Sequence, residues 1–479
     1  MTASRTKERV KNNLGIIYGG MRPSRHRSEH LKKLSDYYYC TQHDDKIDWF
    51  EAEEAEISIP IRNRKPIVNY PLAKIHVARI VSKLLGDDVF PEIQAEDESQ
   101  QEIIDAVLEK IDFKEVMKDF AKKVLAFGSG FIRIKIVEGH MSLTPYDPNY
   151  CYPTFAEDGS LETMRIQYVY TDGTTIDKET KKPVERWFRL DLTKEIDVLY
   201  DNPIFKDDTP PTFKVVNSES HSLGVVQGHW CKNTKLRKVV DGDSVIEDIL
   251  ELSDCISYNI SRSDQAADYG TDPQVVISGL DESELDELEK SSTKAWALGR
   301  EGTAQMLEVG GAGVTAAGEM EDRLQRKAQE VTNAIMHDPE KIVGSAQSAK
   351  AMEVLNGPLV DAVKDLRPIF EYAIKTILLK ILILLKKFIK SRKEIVGLDA
   401  DEKLIDLDSE IKIKWGEIFP PTMQDLQAVV SVYSQLVTGN LMSRKTALAN
   451  LAKYFDYGDL EEEMKLIETQ KQFNTFNQF

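Results

Sequence analysis

The residues whose types and spacing could do chemistry form short, separated groups. Gly311-Ala312-Gly313-Val314-Thr315-Ala316 fits the GxGxxA pattern of a dinucleotide loop, behind a strand-like stretch and ahead of a helix. Such a loop works because its glycines let the backbone approach a pyrophosphate at a helix N-terminus. A dinucleotide site also needs a second parallel strand ending, about twenty positions on, in an acidic residue for the ribose. Here the helix runs into Asp338-Pro339 and another helix follows, so the stretch reads as a Gly-rich connector. His26 and His30 have the i, i+4 spacing that puts two imidazoles on one helical face for a metal. No third ligand stands nearby and Arg25 and Arg27 would repel a cation, so an exposed polar helix is expected. GxxxxGK[ST], GxSxG and HExxH are absent. Asp147-Pro148 reads as a turn-former rather than a catalytic carboxylate. No enzyme activity, cofactor or metal is expected; the residues offer architecture rather than chemistry.

Composition narrows the class. A chain of 479 residues exceeds one ordinary core and suggests two to four packing units. Charged residues at 30% and hydrophobic ones at 41% fit a folded protein better than a disordered one. A formal charge of −18 argues against static nucleic-acid binding, which runs on a Lys/Arg excess. It does allow DNA to pass without sticking, since an acidic wall repels phosphate. Cys40, Cys151, Cys231 and Cys255 are far apart with no CxxC pair, so neither zinc site nor disulfide framework is indicated, and a reducing compartment is expected. Met1 to Asn13 is basic and polar with no apolar stretch behind it, unlike a secretory signal. The most apolar stretch, Ile369 to Ile389, is interrupted by Lys375, Lys380, Lys386 and Lys387; it reads as a packing helix, and no membrane span is expected.

The elements that must position any site follow from periodicity. Residues 1 to about 55 read as polar and largely helical, and Pro60 and Pro66 mark a turn-rich piece. Pro71 to Leu85 is predicted as a helix with Leu72, Ile75, Val77, Ile80, Val81 and Leu84 on its apolar face and Gly86 as a left-handed cap. Glu102 to Ala126 continues the helical pattern with a break around Asp112. From Phe131 to about Tyr200 the period becomes two: Phe131–Val137, Met164–Tyr170 and Glu185–Leu190 read as strands, with turns at Glu138-Gly139, Asp158-Gly159 and Asp172-Gly173. Past the connection from Asn202 to Gly228, a long helix is predicted from Ser244 to about Ala267, with Asp243 or Ser244 as N-cap and Gly270 and Pro273 at its exit. Strand Val275–Ser278, acidic helix Asp281–Lys290 and strand Thr303–Val309 follow. The run from Asp281 to Glu289 reads as a solvated helix face, or else as a docking surface, with Leu285 and Leu288 as its buried stripe in either case. A helix from Gly318 to His337, a Gly/Ser loop from Pro339 to Gln347, and a helix from Ala349 to Lys390 complete this region. That last helix would extend roughly 60 Å if straight, bent at Gly357-Pro358 and Pro368. The tail from Thr422 to about Gln470 is helical with breaks at Gly439-Asn440 and Tyr457-Gly458. The fold class is α+β, predominantly helical.

Several short segments stand in a telling order. Ile67-Val68-Asn69 precedes a helix ending Lys83-Leu84-Leu85-Gly86, and Ala126-Phe127-Gly128-Ser129-Gly130-Phe131 forms a helix-to-strand junction. Pro145-Tyr146-Asp147-Pro148-Asn149 with Tyr152-Pro153 forms a turn before a strand. Gly242-Asp243-Ser244 opens the long helix that holds Asn259, Ser345 to Lys350 is rich in small residues, and Gly439-Asn440 precedes Ser443 to Leu448. Over about residues 60 to 470 this order resembles the portal proteins of tailed bacteriophages. The resemblance implies a portal fold around a central channel: a wing (1–240), a descending stem helix (241–270), a clip (271–317), an ascending stem helix (318–338), a tunnel loop (339–348), a long kinked spine helix of the wing (349–395) and a crown (396–479). The clip carries no pattern that matches the family residue by residue.

The resemblance further implies a closed dodecameric ring in the virion that guides double-stranded DNA into and out of the capsid. Implied partners are the packaging terminase, the major capsid or scaffolding protein, and head-completion or tail adaptor proteins; hydrolysis belongs to the separate motor. The implied location is the capsid portal vertex, with the host cytoplasm during assembly. Lys341, Ser345, Gln347 and Lys350 would meet DNA at the tunnel loop. Asp243, Glu247, Glu251 and Asp254, at spacings near three, four and seven, would line the stem. Asp281, Glu282, Glu284, Asp286 and Glu287 would dock a partner at the clip. The alternatives are a virion assembly protein without a DNA channel and the dinucleotide-dependent enzyme set aside above.

Overall fold

The computed structural model describes residues 27–54, 59–176, 181–200, 213–234, 240–271, 274–278, 303–307, 312–332, 352–354, 356–390, 405–407, 409–419, 421–452, 454–455, 463–467 and 469. Helix α1 (Arg27–Tyr38) buries Leu31, Leu34 and Tyr38 on one face. Helix α2 (Leu72–Leu85) buries Leu72, Val77, Ile80, Val81 and Leu84, the face expected from periodicity. Its end differs from the expectation: Gly86 has φ −60° and ψ 164°, so the chain leaves extended rather than through a left-handed cap. Glycine is needed there for a different reason, since a Cβ would sit 2.2 Å from the carbonyl oxygen of Ser82. After the short strand β1 (Glu92–Gln94) come α3 (Glu98–Lys110), with Asp97 accepting from the Gln100 N–H as N-cap, and α4 (Phe113–Phe127). The expected break between them is present: Asp112 takes φ +49° and turns the chain.

Strands β2 (Ser129–Val137) and β3 (His140–Tyr146) form a hairpin whose two turn residues, Glu138 and Gly139, both have positive φ (51° and 80°). That is the backbone of a two-residue turn that matches strand twist. Then follow β4 (Cys151–Phe155), β5 (Leu161–Ile176), β6 (Pro183–Leu192), β7 (Ile196–Tyr200), β8 (Val215–Ser220) and β9 (Gly228–Lys232). They make a three-stranded sheet, β3-β2-β9, and a five-stranded antiparallel meander, β4-β5-β6-β7-β8. Asp172-Gly173 is not the turn between strands that was expected. It lies inside β5 at a register irregularity, where the Asp172 carboxylate accepts hydrogen bonds from Thr174 and Thr175 and pairs with Arg186 across the strand.

Helix α5 (Leu250–Thr271) leads to a two-stranded antiparallel ribbon, β10 (Gln274–Ser278) with β11 (Thr303–Leu307), and α6 (Ala312–Thr332) returns. Residues 352–354 are helical, and helix α7 (Gly357–Lys390) begins after them with Gly357-Pro358 in its first turn, where a missing N–H costs nothing, and Pro368 lies inside it. Strand β12 (Lys412–Lys414) pairs with β1, and α8 (Met423–Thr438) and α9 (Arg444–Leu451) follow, separated at Gly439-Asn440. Thr422 and Asp425 form a reciprocal capping box on α8, and Ser443 caps α9.

Two cores result. The larger gathers α1, α2, α3, α4 and one face of β2 around α7, whose Val363, Phe370, Ile374, Ile377 and Leu385 are fully buried. The smaller sits under the sheets and holds Phe131, Cys151, Met164, Ile166, Leu190, Leu192, Val226 and Trp230. The architecture is α+β. Among the described residues no helix is long and apolar enough to cross a membrane.

Candidate functional site

The hairpin of α5, β10, β11 and α6 is rooted where two glycine-bearing segments cross. Helix α4 ends at Gly128, φ +80°, and its last carbonyls would be orphaned without partners. The segment leading into α5 supplies them. The Val245 N–H donates to Leu125 O at 3.0 Å, the Ser244 hydroxyl to Ala126 O at 2.6 Å, and the Gly242 N–H to Gly128 O at 3.0 Å. The Asn233 N–H donates to the same Gly128 oxygen at 2.8 Å. A Cβ on Gly128 would lie 2.3 Å from Gly242 O, and one on Gly242 would lie 2.6 Å from Gly128 O. Two segments that look unrelated in sequence, at 126–131 and 242–244, thus form one backbone junction.

Beside it lies a buried ion pair. Arg27, at the start of α1, donates from Nε to Asp241 Oδ2 at 2.6 Å and from Nη2 to Oδ1 at 3.0 Å. Its remaining N–H groups reach Cys151 O at 2.9 Å and Pro148 O at 3.1 Å, and the Ser129 hydroxyl donates to Asp241 Oδ1 at 2.6 Å. Burial works against the Arg27 charge, yet the Asp241 carboxylate outweighs it and holds the guanidinium above its ordinary pKa. This clamp joins α1, the entry to β4, β2 and the hairpin root.

Helix α5 is stitched to the 59–70 segment by serines one turn apart. Ser261 Oγ accepts from the Val68 N–H at 3.1 Å, Ser257 Oγ accepts from the Tyr70 N–H at 3.0 Å, and Ser253 Oγ donates to Tyr70 O at 3.2 Å. Ser257 and Ser261 also donate to the carbonyls four residues back, so each hydroxyl is used twice. Further along, the Tyr258 hydroxyl donates to backbone oxygens of Arg62 and Arg64 and accepts from Lys46 Nζ at 2.7 Å. Helix α6 packs along α5 and comes back to the turn Glu247–Ile249, burying Leu324 and Ala328.

The helix start corrects a sequence expectation. Asp243 and Ser244 do not N-cap an α-helix; residues 245–246 form a turn, Glu247–Ile249 is a 3₁₀ turn, and α5 begins at Leu250. The spacing that put four acids on one face therefore applies only to Glu251 and Asp254. Asp243 and Glu251 are exposed, whereas Glu247 and Asp254 are half-buried. Glu247 lies 4.0 Å from His30 Nε2, and Asp254 accepts from the Tyr37 hydroxyl at 2.7 Å and stands 3.1 Å from His43 Nε2. Burial would raise the Asp254 pKa, but His43 and Tyr37 overcome it and hold the carboxyl below its ordinary range. Lys341, Ser345, Gln347 and Lys350, and Asp281, Glu282, Glu284, Asp286 and Glu287, lie outside the described residues.

The 26–30 stretch is not the exposed helix expected: Arg27 and His30 are buried, and His26 lies outside the described residues. Asp147 is a turn-former, preceding the 3₁₀ turn Pro148–Tyr150, with its carboxylate 3.1 Å from Lys123 Nζ and accepting from Tyr39. The GxGxxA stretch does not make a phosphate loop. Gly313 lies within α6, and β11 before it pairs antiparallel with β10 rather than in a parallel sheet. All four cysteines are free thiols, and burial pushes Cys231 up to about 12.

The body thus caps its own helix end with the root of the helical hairpin and ties that root with a buried ion pair. The family model for "Phage portal protein, SPP1 Gp6-like" matches residues 24–474, and the chain belongs to that family. Among solved structures, it is similar to a chain of a "Virion of native gene transfer agent (GTA) particle", at 9% identity and TM-score 0.42, covering 93% of this chain and 96% of that one. It is also similar to a chain of a "Neck of empty GTA particle computed with C6 symmetry", at 10% identity and TM-score 0.40, covering 78% and 87%. No curated protein sequence matches the chain.

Proposed function

We propose that the chain is a portal-vertex subunit whose copies close into a ring that conducts double-stranded DNA. The observation that carries this reading is the portal family match from residue 24 to 474, which takes in both the body and the hairpin. In this reading α5 and α6 are the stem, residues 271–317, with the β10–β11 ribbon, are the clip, and α7 is the spine. The exposed acids Asp243 and Glu251 then face the channel as a wall that repels phosphate and lets DNA slide. Lys341, Ser345, Gln347 and Lys350 make brief contacts with DNA at the narrowest level, and the acids from Asp281 to Glu287 dock terminase and later the adaptor proteins. Helix α8 buries none of its residues within the subunit and exposes Met423 and Val432, a surface suited to neighbours in a ring.

The test is packaging. Replacing Lys341→Glu and Lys350→Glu together is expected to lower DNA packaging while rings still assemble, as seen by DNase-protected DNA and by electron microscopy. Unchanged packaging would remove the loop from the DNA path.

A further inference from the structure

A cavity of about 790 Å³ lies between β9, two turns at one end of the five-stranded sheet (156–160 and 193–195) and the middle of α7, and it borders the hairpin root at Trp230 and Lys232. That volume is in the range of small-molecule sites, roughly 300–1,000 Å³. Phe155, Leu161, Val226, Trp230 and Ile369 give it an apolar and aromatic wall. Lys194, Lys232 and Lys380 also line it, against a single carboxylate, the exposed Asp158. Such a balance is unusual in a chain with 80 acidic and 62 basic residues.

Lys380 is the odd residue in this setting. It stands between Ile377, Leu378, Ile381 and Leu382, all buried, and reaches across to donate to the carbonyl oxygen of Gly228. Lys194, from the turn between β6 and β7, is near enough for the two charges to repel. Neither ammonium has a carboxylate within ion-pair distance among the described residues. Lys232 leans over the Phe155 ring, 5.3 Å from its centroid. Like charges held together beside a low-dielectric wall are unfavourable alone and become favourable around an anion.

We propose that this cavity binds a phosphate monoester carried on an aromatic or apolar body, with Lys194 and Lys380 on the phosphate and the Phe155–Trp230 wall on the body. The site adjoins the hairpin root through Trp230, but the proposal does not depend on the portal reading.

The probe is adenosine 5′-monophosphate, titrated calorimetrically into the purified full-length protein, with inorganic phosphate and adenosine as separate arms. The expected result is saturable binding of the monophosphate at one site per subunit, with weaker binding of either fragment. Lys380→Met and Lys194→Met should each weaken it about tenfold or more, the loss of one charge-assisted hydrogen bond, with thermal stability maintained. Binding is also expected to weaken above pH 8 in the wild type alone. Burial first, and Lys194 second, hold Lys380 down at about 8. Lys194, His229, Cys231, Lys232, Asp158 and Tyr372 are the other charged or titratable groups around it, and Thr376 completes that side of α7. The phosphate, with its second pKa at about 6, is fully ionised there and does not cause the change. No saturable heat with the monophosphate, or binding unchanged in Lys380→Met, would overturn the site. Inorganic phosphate binding as tightly as the monophosphate would overturn the role of the aromatic wall.

Discussion

Replacing Asp241 by asparagine removes one charge from the clamp and little else. The amide keeps an oxygen for the Ser129 hydroxyl, which now donates to Asp241 Oδ1 at 2.6 Å. Arg27, only 5% exposed, keeps its bonds to Cys151 O and Pro148 O but loses the carboxylate that balances it. Removing one partner of a buried pair costs roughly 3–5 kcal/mol, because the other charge stays desolvated. Urea unfolding followed by tryptophan fluorescence suits the measurement, since Trp230 stacks 5.8 Å from the Arg27 guanidinium and donates to Val240 O, next to Asp241. With a denaturant slope of about 3 kcal/mol/M, the midpoint should fall by about 1 M or more. The double replacement Arg27→Met with Asp241→Leu should recover most of the loss, since no charge is then left buried. A loss below about 1 kcal/mol in Asp241→Asn, or a double variant no better than the sum of its singles, would refute the clamp as the lock of the hairpin root.

Two further outcomes follow from the same structure. Ser257→Ala with Ser261→Ala should strand the Tyr70 and Val68 N–H groups, at about 1–3 kcal/mol each, and hydrogen exchange at those two amides should accelerate; unchanged protection would show that α5 does not hold the segment. His76 is held down to about 4, by burial first and by Arg79 second, from an ordinary value of 6.5. The unfolded chain therefore takes up a proton at His76 below pH 6.5 that the folded chain refuses until about 4. Its contribution to stability is present above 6.5 and is lost as the pH falls towards 4, by about 3 kcal/mol at 1.36 kcal/mol per pH unit. His76→Leu should remove that part of the acid loss in urea unfolding at pH 7 and 4.5, and an unchanged acid limb would contradict it.

Local signals in the sequence led to the parts of the fold that local physics decides. The apolar face of α2, the break at Asp112, the Glu138-Gly139 hairpin and the Gly439-Asn440 separation were all legible, because each depends on residues a few positions apart. Where a distant partner decides, the reading failed. Gly86 looked like a left-handed cap, but its lack of a Cβ serves the Ser82 carbonyl. Ser244 looked like an N-cap, but its hydroxyl is taken by Ala126 O, 118 positions away, and the helix starts later. Strands β4, β7, β8 and β9 are short and weakly alternating, and their pairing across the chain could not be seen. The serines at 253, 257 and 261 did leave a signal, small hydroxyls every four residues on a helix. The Arg27–Asp241 pair, 214 positions apart, left none.

In the proposed reading, copies of this subunit surround a passage for DNA. Electron microscopy of the purified full-length protein, with class averages viewed down the symmetry axis, tests it most directly. Closed rings with a central opening of at least about 20 Å, the width of duplex DNA, are expected. Monomers, or assemblies with a filled centre, would contradict it.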